Sequence, residues 1–496
     1  MAHGVELIAY ADRLAGDLAG LRRLLTGPLA GFSGVHVLPF FVPYDGADAG
    51  FDPVDHLSVD PRLGTWDDIG ALADEGLSVT ADLIVNHVSS ESEAFRRWLA
   101  GDTDPGIDGM FLTYGTVFPS GATEEELTRI FRPRPGLPFT PFRLADGTRR
   151  LVWTTFGPRQ VDLDVSSPAT RAYLDEVLRR LAAARVRTVR LDAVGYAVKT
   201  RGTDCFLTTD TLAFVAELAE RAHRLGLEVL VELHGHHGDQ QAVAGVADWV
   251  YDFALPALVL EALFSGRVDR LLSWLEVRPA NSVNVLDTHD GIGIVDVAAG
   301  DDGPGLLTRS EIDGLVARVA EHTGGLTDRA AAPVPWSEVP YALNTTYFDA
   351  LGRDEQTYLV ARLVQLLLPG PAHVYYVGLL AGGNDVERFE LTGLGRDLNR
   401  HVYDPGECSA ALARPVVRAI LALVRLRTRH PAFAGTGGWE RHGARGLRFR
   451  WRAGGDEVDV TVDVGAAAFT LRATSPSGPV RADTVGEMAA LAEHRW

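Results

Sequence analysis

The chain has 496 residues, enough for two to four domains, and its 46% apolar and 23% charged residues describe a soluble globular protein with ample core. A formal charge of −19 and a pI near 5.2 argue against general affinity for nucleic acid or anionic membrane, so any anionic substrate must be held by local arginines. Two cysteines, Cys205 and Cys408, make no disulfide framework and point to a reducing cytoplasm.

The opening segment, MAHGVELIAYADRL, carries neither a basic n-region nor an apolar h-region, and no apolar run approaches the ~20 residues of a membrane span. Short apolar, β-branched runs then recur: VELIAY (5–10), VHVLPFF (35–41), LSVTADLIVNH (77–87), VRTVRLDAV (186–194), LEVLVELH (227–234), ADWVYDF (247–253), NSVNVLDTHD (281–290) and HVYYVG (373–378). Helical patterns lie between many of them, such as 170–184 and 211–226. Continuous apolar strands separated by helices indicate a parallel sheet covered on both faces. Eight of them suggest a closed (β/α)₈ TIM barrel, an α/β fold.

Two intervals break this rhythm. Residues 88–166 are rich in Gly, Pro and Thr and too long for a plain loop, so they read as an inserted B domain. Residues 291–353 read as a second insertion, a B′ region. The barrel then comprises 1–87, 167–290 and 354–433, the last part ending in an Ala/Leu/Arg-rich helix at about 414–429. From 434 to 496, alternating segments such as LRFRWRA and VDVTVDV predict a C-terminal antiparallel β domain.

Polar residues gather at the ends of the predicted strands. Asn86 and His87 close the third, Arg190 and Asp192 the fourth, Glu232 and His234 the fifth, and His289 and Asp290 the seventh. Singly, such a histidine is more often a hydrogen-bonded core or surface residue, and such an aspartate is as often a helix N-cap. Four strands doing so together point to the face where such barrels do their chemistry. Arg190 and Asp192, two apart on a strand, share a face, so the guanidinium is expected to lower the carboxyl pKa and keep a nucleophile ionised. Glu232 follows the apolar run LEVLV, which would raise its pKa and suit a general acid. Two carboxyl groups with opposed pKa values are the apparatus of glycosyl transfer, about 5–5.5 Å apart in a retaining enzyme.

ADLIVNH (81–87), RLDAVGY (190–196), LVELHG (230–235) and VLDTHD (285–290) resemble, in order and spacing, the four signature segments of the α-amylase superfamily. The resemblance implies Asp192 as nucleophile, Glu232 as acid/base and Asp290 as transition-state partner, with His87, Arg190 and His289 around the glucose subsite. LPFFVPYDGADAGFDPVDH (38–56), FPSGATEEELTRIFRPRPGLPFT (118–140), VYDFALP (250–256), LDTHDGIG (286–293) and GRDLNRH (395–401) resemble the sucrose phosphorylase branch. That likeness implies Asp48 and Arg400 on the distal hydroxyls of the glucosyl unit, and Phe51 and Tyr196 as aromatic walls. It further implies inorganic phosphate as co-substrate, no cofactor, and, by analogy with the branch alone, a homodimer. Arg134 would take the phosphate, with His234 assisting, whereas the bland reading makes Arg132 and Arg134 solvated surface residues.

In WSEVPYALNTTYF (336–348), Tyr341 and Asn344 match the branch, but Val339 and Ala342 stand where an Asp and a Gln are expected at the acceptor subsite. After Glu232, HGHHG replaces paired tyrosines. The leading expectation is phosphorolysis of sucrose; phosphorylases of sucrose 6′-phosphate, glucosylglycerol or glucosylglycerate share the core with altered acceptor loops. A catalytically dead binding module would have lost a carboxylate, and all three are present. His234, His236 and His237 lack a defined fourth ligand, so no metal is expected. Lys199, the only lysine, reads as a structural ion pair, and the remaining Trp and Phe as core.

Overall fold

The computed structural model describes residues 4–46, 48–300, 303–331 and 338–496. Eight parallel strands close the expected barrel: β1 Val5–Ala9, β2 Gly34–Val37, β3 Ser78–Ile84, β4 Thr188–Asp192, β5 Glu228–Val231, β6 Trp249–Asp252, β7 Ser282–Asn284 and β8 Ala372–Tyr375. The ring closes at β1, which pairs with β2 (Glu6 opposite Gly34) and with β8 (Val5 opposite Ala372). Among the described residues no helix is long and apolar enough to cross a membrane.

The strands are shorter than the apolar runs that announce them. β7 has three residues, so His289 and Asp290 do not close it but lie in the loop beyond it. The intervening Val285 and Leu286 are fully buried without belonging to the ladder. β3 likewise stops at Ile84, and His87 opens a separate strand, His87–Ser89. That strand pairs antiparallel with Gln160–Asp162 and ties together the two ends of the inserted segment.

The covering helices follow ordinary rules. In Pro168–Ala183, Ser167 Oγ accepts from the Ala169 N–H, proline occupies the first turn, and Leu174, Val177, Leu178 and Leu181 are buried at helical spacing. Between β3 and β4 the insertion contains an antiparallel hairpin, Phe139–Arg143 with Arg149–Trp153. The second insertion contains the helix Arg309–His322 and a strand, Ala342–Leu343, paired antiparallel with Ile292–Gly293. Residues 301, 302 and 332–337, which include Trp336 of the acceptor-loop segment, lie outside the described residues.

The barrel interior is polar along one line. Thr80 Oγ1 donates to Glu6 Oε2 (2.9 Å), Tyr251 Oη lies 3.0 Å from His373 Nδ1 and 3.3 Å from His36 Nδ1, and His36 Nε2 lies 2.9 Å from Asp82 Oδ2. Asp82 in turn takes Arg190 Nη1. Burial alone would raise the Asp82 carboxyl, but Arg190 and His36 hold it at about 2. A buried charge is tolerated when paired in this way, and Arg190 is thereby fixed from below.

After the helix Pro415–Arg429 come five antiparallel strands in sequence order, β9 Thr436–Arg441, β10 Gly446–Ala453, β11 Asp456–Asp463, β12 Ala468–Ala473 and β13 Val480–Ala482. Leu447, Phe449, Trp451 and Val460 join the barrel helices in one continuous core. Arg427 lies between the rings of Phe433 and Trp451, 4.6 Å from each, and Trp451 Nε1 donates to Leu367 O (2.9 Å).

Candidate active site

The loops after the strands enclose a cavity lined by Asp192, Glu232 and Asp290 together with Asp48, Phe51, His87, Tyr196, His289, Arg134, His234 and Tyr341. Eleven of the thirteen residues singled out in the sequence therefore meet there. The other two, Arg190 and Arg400, stand behind the wall, each side chain 3% exposed. They touch the carboxylates from the protein side.

Asp192 ends β4, and Ala193 after it adopts a left-handed backbone (φ 54°) that swings Val194–Tyr196 into a single 3₁₀ turn. Gly195 within that turn admits no side chain, since a Cβ would lie 2.7 Å from the Phe206 ring and 2.8 Å from Leu233. Arg190 spans both catalytic carboxylates: Nη1 is 3.0 Å from Asp192 Oδ1 and Nη2 is 3.5 Å from Glu232 Oε1. Arg190 lowers Asp192 as expected but does not keep it in the ionised range. Burial dominates and raises the Asp192 carboxyl well above the usual range, with Arg190 opposing and the nearby Glu232 adding to the rise. Nor is Glu232 in apolar surroundings, since its Oε1 lies 3.7 Å from His234 Nε2 and 3.5 Å from Arg190 Nη2.

His234 is set by a residue the sequence reading missed. Its Nδ1 lies 2.9 Å from Oδ2 of Asp296, a fully buried residue of the 3₁₀ turn Val295–Val297. Gly293 leaves room for that contact, since a Cβ there would fall 1.9 Å from Asp296 Oδ2. Burial pulls the His234 pKa down, but the Asp296 charge and hydrogen bond, with Glu232, push it up to about 9.

Asp290 sits between two cations, Arg396 Nη1 at 3.0 Å and Arg400 Nη2 at 3.8 Å, with the imidazole of His289, whose pKa burial pushes well below the ordinary histidine range, at 3.3 Å through Nε2. Against the effect of burial they hold its carboxyl well below the usual carboxylate range. Arg396, also missed although it lies inside the quoted GRDLNRH segment, lines the cavity and reaches Asp48 (3.9 Å) as well. Arg400 approaches Asp48 at 4.0 Å, and its Nε donates to His289 O (3.1 Å), bracing the catalytic loop. Burial is opposed by these two arginines at Asp48, whose carboxyl is lowered.

Phe51 lines the cavity, stacked on His289 with ring centroids 4.6 Å apart and 8° between planes. Tyr196 stands against Phe206 (4.8 Å) and Phe156 (5.1 Å), both of which also line the cavity. His87 Nε2 lies 2.8 Å from the Phe51 carbonyl. Arg134 faces the cavity; Arg132 turns back to donate to Leu137 O (2.5 Å), so neither is a solvated surface residue. Tyr341 is carried to His234 (ring centroids 5.9 Å) by the strand pairing of Ala342 with Gly293. Asn344 donates instead to Ala330 O (2.7 Å), and Val339 packs on the hydrophobic core. Tyr196 Oη, His234 Nε2 and Arg400 Nη2 are buried without hydrogen-bond partners at this site, the condition of groups that await a polar ligand.

Glu232, His234 and Asp290 offer ligand-type atoms within 4.8 Å of one another. They suit a metal poorly, since Asp290 is already engaged by Arg396 (3.0 Å) and Glu232 by Arg190 (3.5 Å), and no fourth ligand joins them among the described residues. His236 points elsewhere, its Nε2 lying 3.1 Å from Pro304 O.

The family model for the alpha amylase catalytic domain matches residues 11–241. The sucrose phosphorylase of Agrobacterium vitis is 50% identical over 439 residues, covering 88% of this chain and 90% of that protein. The chain belongs to the sucrose phosphorylase branch of the α-amylase superfamily. The sucrose phosphorylase of Bifidobacterium adolescentis is similar at 44% identity, over 93% of this chain and 92% of its own. Among solved structures, sucrose 6F-phosphate phosphorylase from Thermoanaerobacter thermosaccharolyticum superposes with a TM-score of 0.90 at 32% identity, over 98% of each chain. The branch's fold thus extends from the barrel through the C-terminal sheet.

Proposed function

We propose that the protein is a sucrose phosphorylase, moving glucose from sucrose to inorganic phosphate with retention and releasing fructose and α-glucose 1-phosphate. The observation that carries this reading is that Arg134 and Arg396 line the same cavity as Asp192 and Glu232. In a chain of charge −19, two guanidiniums beside the carboxylates supply the local seat that phosphate requires.

Asp192 attacks the anomeric carbon as Glu232 protonates the departing fructosyl oxygen, leaving a β-glucosyl ester on Asp192. Phosphate then attacks from the vacated side, Glu232 accepts its proton, and the Asp192 carboxylate is released. One guanidinium spanning both carboxylates suits the short retaining separation of about 5 Å better than the wider inverting one. Burial, with the neighbouring Glu232, holds the Asp192 carboxyl above its usual range. Positive charge developing at the anomeric carbon favours the form with Asp192 ionised and the proton on Glu232. Cationic His234 beside Glu232 adds attraction for the incoming phosphate. Cytoplasmic operation is part of the proposal and is supported by Cys205 and Cys408 both being free and buried.

The test is incubation with sucrose, with and without phosphate, following glucose 1-phosphate. Phosphate-dependent product is expected; equal sucrose loss without phosphate, with free glucose, makes the protein a hydrolase. A second reading, sucrose 6′-phosphate as donor, is favoured by Val339 and Ala342, which stand in the acceptor loop where an Asp and a Gln are expected. The same assay with both donors separates the two.

A further inference from the structure

Of the 47 lysine and arginine residues in the chain, 46 are arginine and one, Lys199, is lysine. Its side chain is 2% exposed and ends where three oxygens converge: Asp162 Oδ2 at 2.9 Å, Asn86 Oδ1 at 3.0 Å and the carbonyl of Tyr196. An ammonium has three N–H donors radiating from one nitrogen, and here each has an acceptor. A guanidinium is a wide planar fork; it cannot serve three oxygens closing on one point without pushing them apart. Every other lysine or arginine position in the chain is arginine; here the side chain is a lysine whose single nitrogen meets three acceptors.

The three oxygens come from different segments around the active-site cavity, which His87 and Tyr196 line and Asn86 and Asp162 back. Asn86 carries its amide Nδ2 to within 3.3 Å of His87 Nδ1. Asp162 lies directly opposite His87 in the short ladder that closes the B insertion, and Thr155 donates to it from both its N–H (3.0 Å) and its hydroxyl (2.5 Å). The Tyr196 carbonyl belongs to the 3₁₀ turn that follows the nucleophile. Lys199 itself does not line the cavity.

We propose that Lys199 is a positioning residue for glucosyl transfer, its single ammonium fixing the spacing between the Asn86–His87 side of the glucosyl subsite and the Tyr196 wall. The inference rests on the transfer reading above but not on the identity of the acceptor. Without the ammonium, Asn86 is free to rotate, His87 loses its fixed Nδ1 partner, and the turn carrying Tyr196 loses its tie to Asn86 and Asp162 and keeps only its own backbone bonds and the packing of its ring on Phe206 and Phe156.

Three variants test this: Lys199→Met; Lys199→Met with Asp162→Asn, which removes the carboxylate left unpaired; and Lys199→Arg, which keeps the charge. Each is assayed on α-glucosyl fluoride, whose leaving group needs no acid and no acceptor subsite, after the folded fraction is fixed by circular dichroism. The expected result is a fall in kcat of about 10- to 100-fold in the folded double variant, the scale of a small misplacement, with little change in donor KM and no rescue by Lys199→Arg. A folded double variant with kcat within about twofold of the parent overturns the proposal, and so does a Lys199→Arg enzyme with parental kcat. The second criterion decides even where the methionine variants do not fold. Parent enzyme that consumes glucosyl fluoride yet makes no glucose 1-phosphate from sucrose rejects the acceptor reading and leaves the Lys199 comparison intact.

Discussion

His234 Nδ1 lies 2.9 Å from Asp296 Oδ2, and through that contact an aspartate outside the cavity keeps a cation beside Glu232. With the His234 pKa raised to about 9, the cation is present throughout the neutral range and is lost as pH rises through that value. The associated stability is likewise complete below pH 6.5, the ordinary histidine value, and is lost toward pH 9. In Asp296→Asn the alkaline limb of kcat/KM for phosphate should move down from about 9 toward 6.5. An unchanged limb in a pH-rate profile removes His234 from phosphate capture.

The two carboxylates should separate by donor. Glu232→Gln removes proton transfer to the leaving oxygen, so turnover of sucrose should fall by about 10²–10⁴-fold. Turnover of α-glucosyl fluoride, whose fluoride leaves unaided, should fall far less. Asp192→Asn should abolish both, because no covalent ester forms. Equal losses on the two donors in Glu232→Gln would contradict the acid/base assignment.

Arg134→Ala should weaken phosphate specifically. Loss of one charge-assisted contact is worth about 1.5–3 kcal/mol, which is roughly a 10- to 100-fold rise in KM for phosphate with donor KM little altered. Hydrolysis should gain at the expense of phosphorolysis. The ratio of free glucose to glucose 1-phosphate at fixed phosphate measures this directly.

Arg396→Ala removes the cation nearest to Asp290, 3.0 Å away. The Asp290 carboxyl, now held well below its ordinary range, should rise. Activity that needs the ionised form is present above that pKa and lost as pH falls, so the acid limb of kcat should shift to higher pH. A profile that superposes on the parent's would show that His289 and Arg400 suffice.

The C-terminal sheet should act as part of the barrel's core. Trp451→Ala empties a fully buried site against Phe433 and strips the ring from Arg427, at a cost of about 3–5 kcal/mol. A single melting transition several degrees lower is expected. Two separated transitions would mean that the sheet unfolds on its own.

The carboxylates were legible in the sequence because charged residues are rare just past apolar strands, and Asp192, Glu232 and Asp290 each stand there. What strand-end reasoning misplaced was the chain around Asp290: NSVNVLDTHD continues apolar after β7 has ended, since burial and ladder pairing do not require one another. Asp296 left a signal in IVDV, a lone acid in an apolar stretch, but nothing local tells which group it neutralises. Arg396 reaches Asp290 across more than a hundred residues of chain, a proximity that only the closed barrel creates. Phe156 and Phe206 are indistinguishable in sequence from core aromatics. The protonation of Asp192 depends on depth of burial, and the two-residue spacing to Arg190 carries no measure of depth.

The solitary lysine also gives the protein a built-in report of its own opening. Within these 496 residues a lysine-specific endoprotease has one target bond, after Lys199, and the side chain it must grip is 2% exposed with its ammonium held by three oxygens. Folded chains should survive digestion whole, while chains whose Tyr196 turn has come away should be cut once, into residues 1–199 and 200–496.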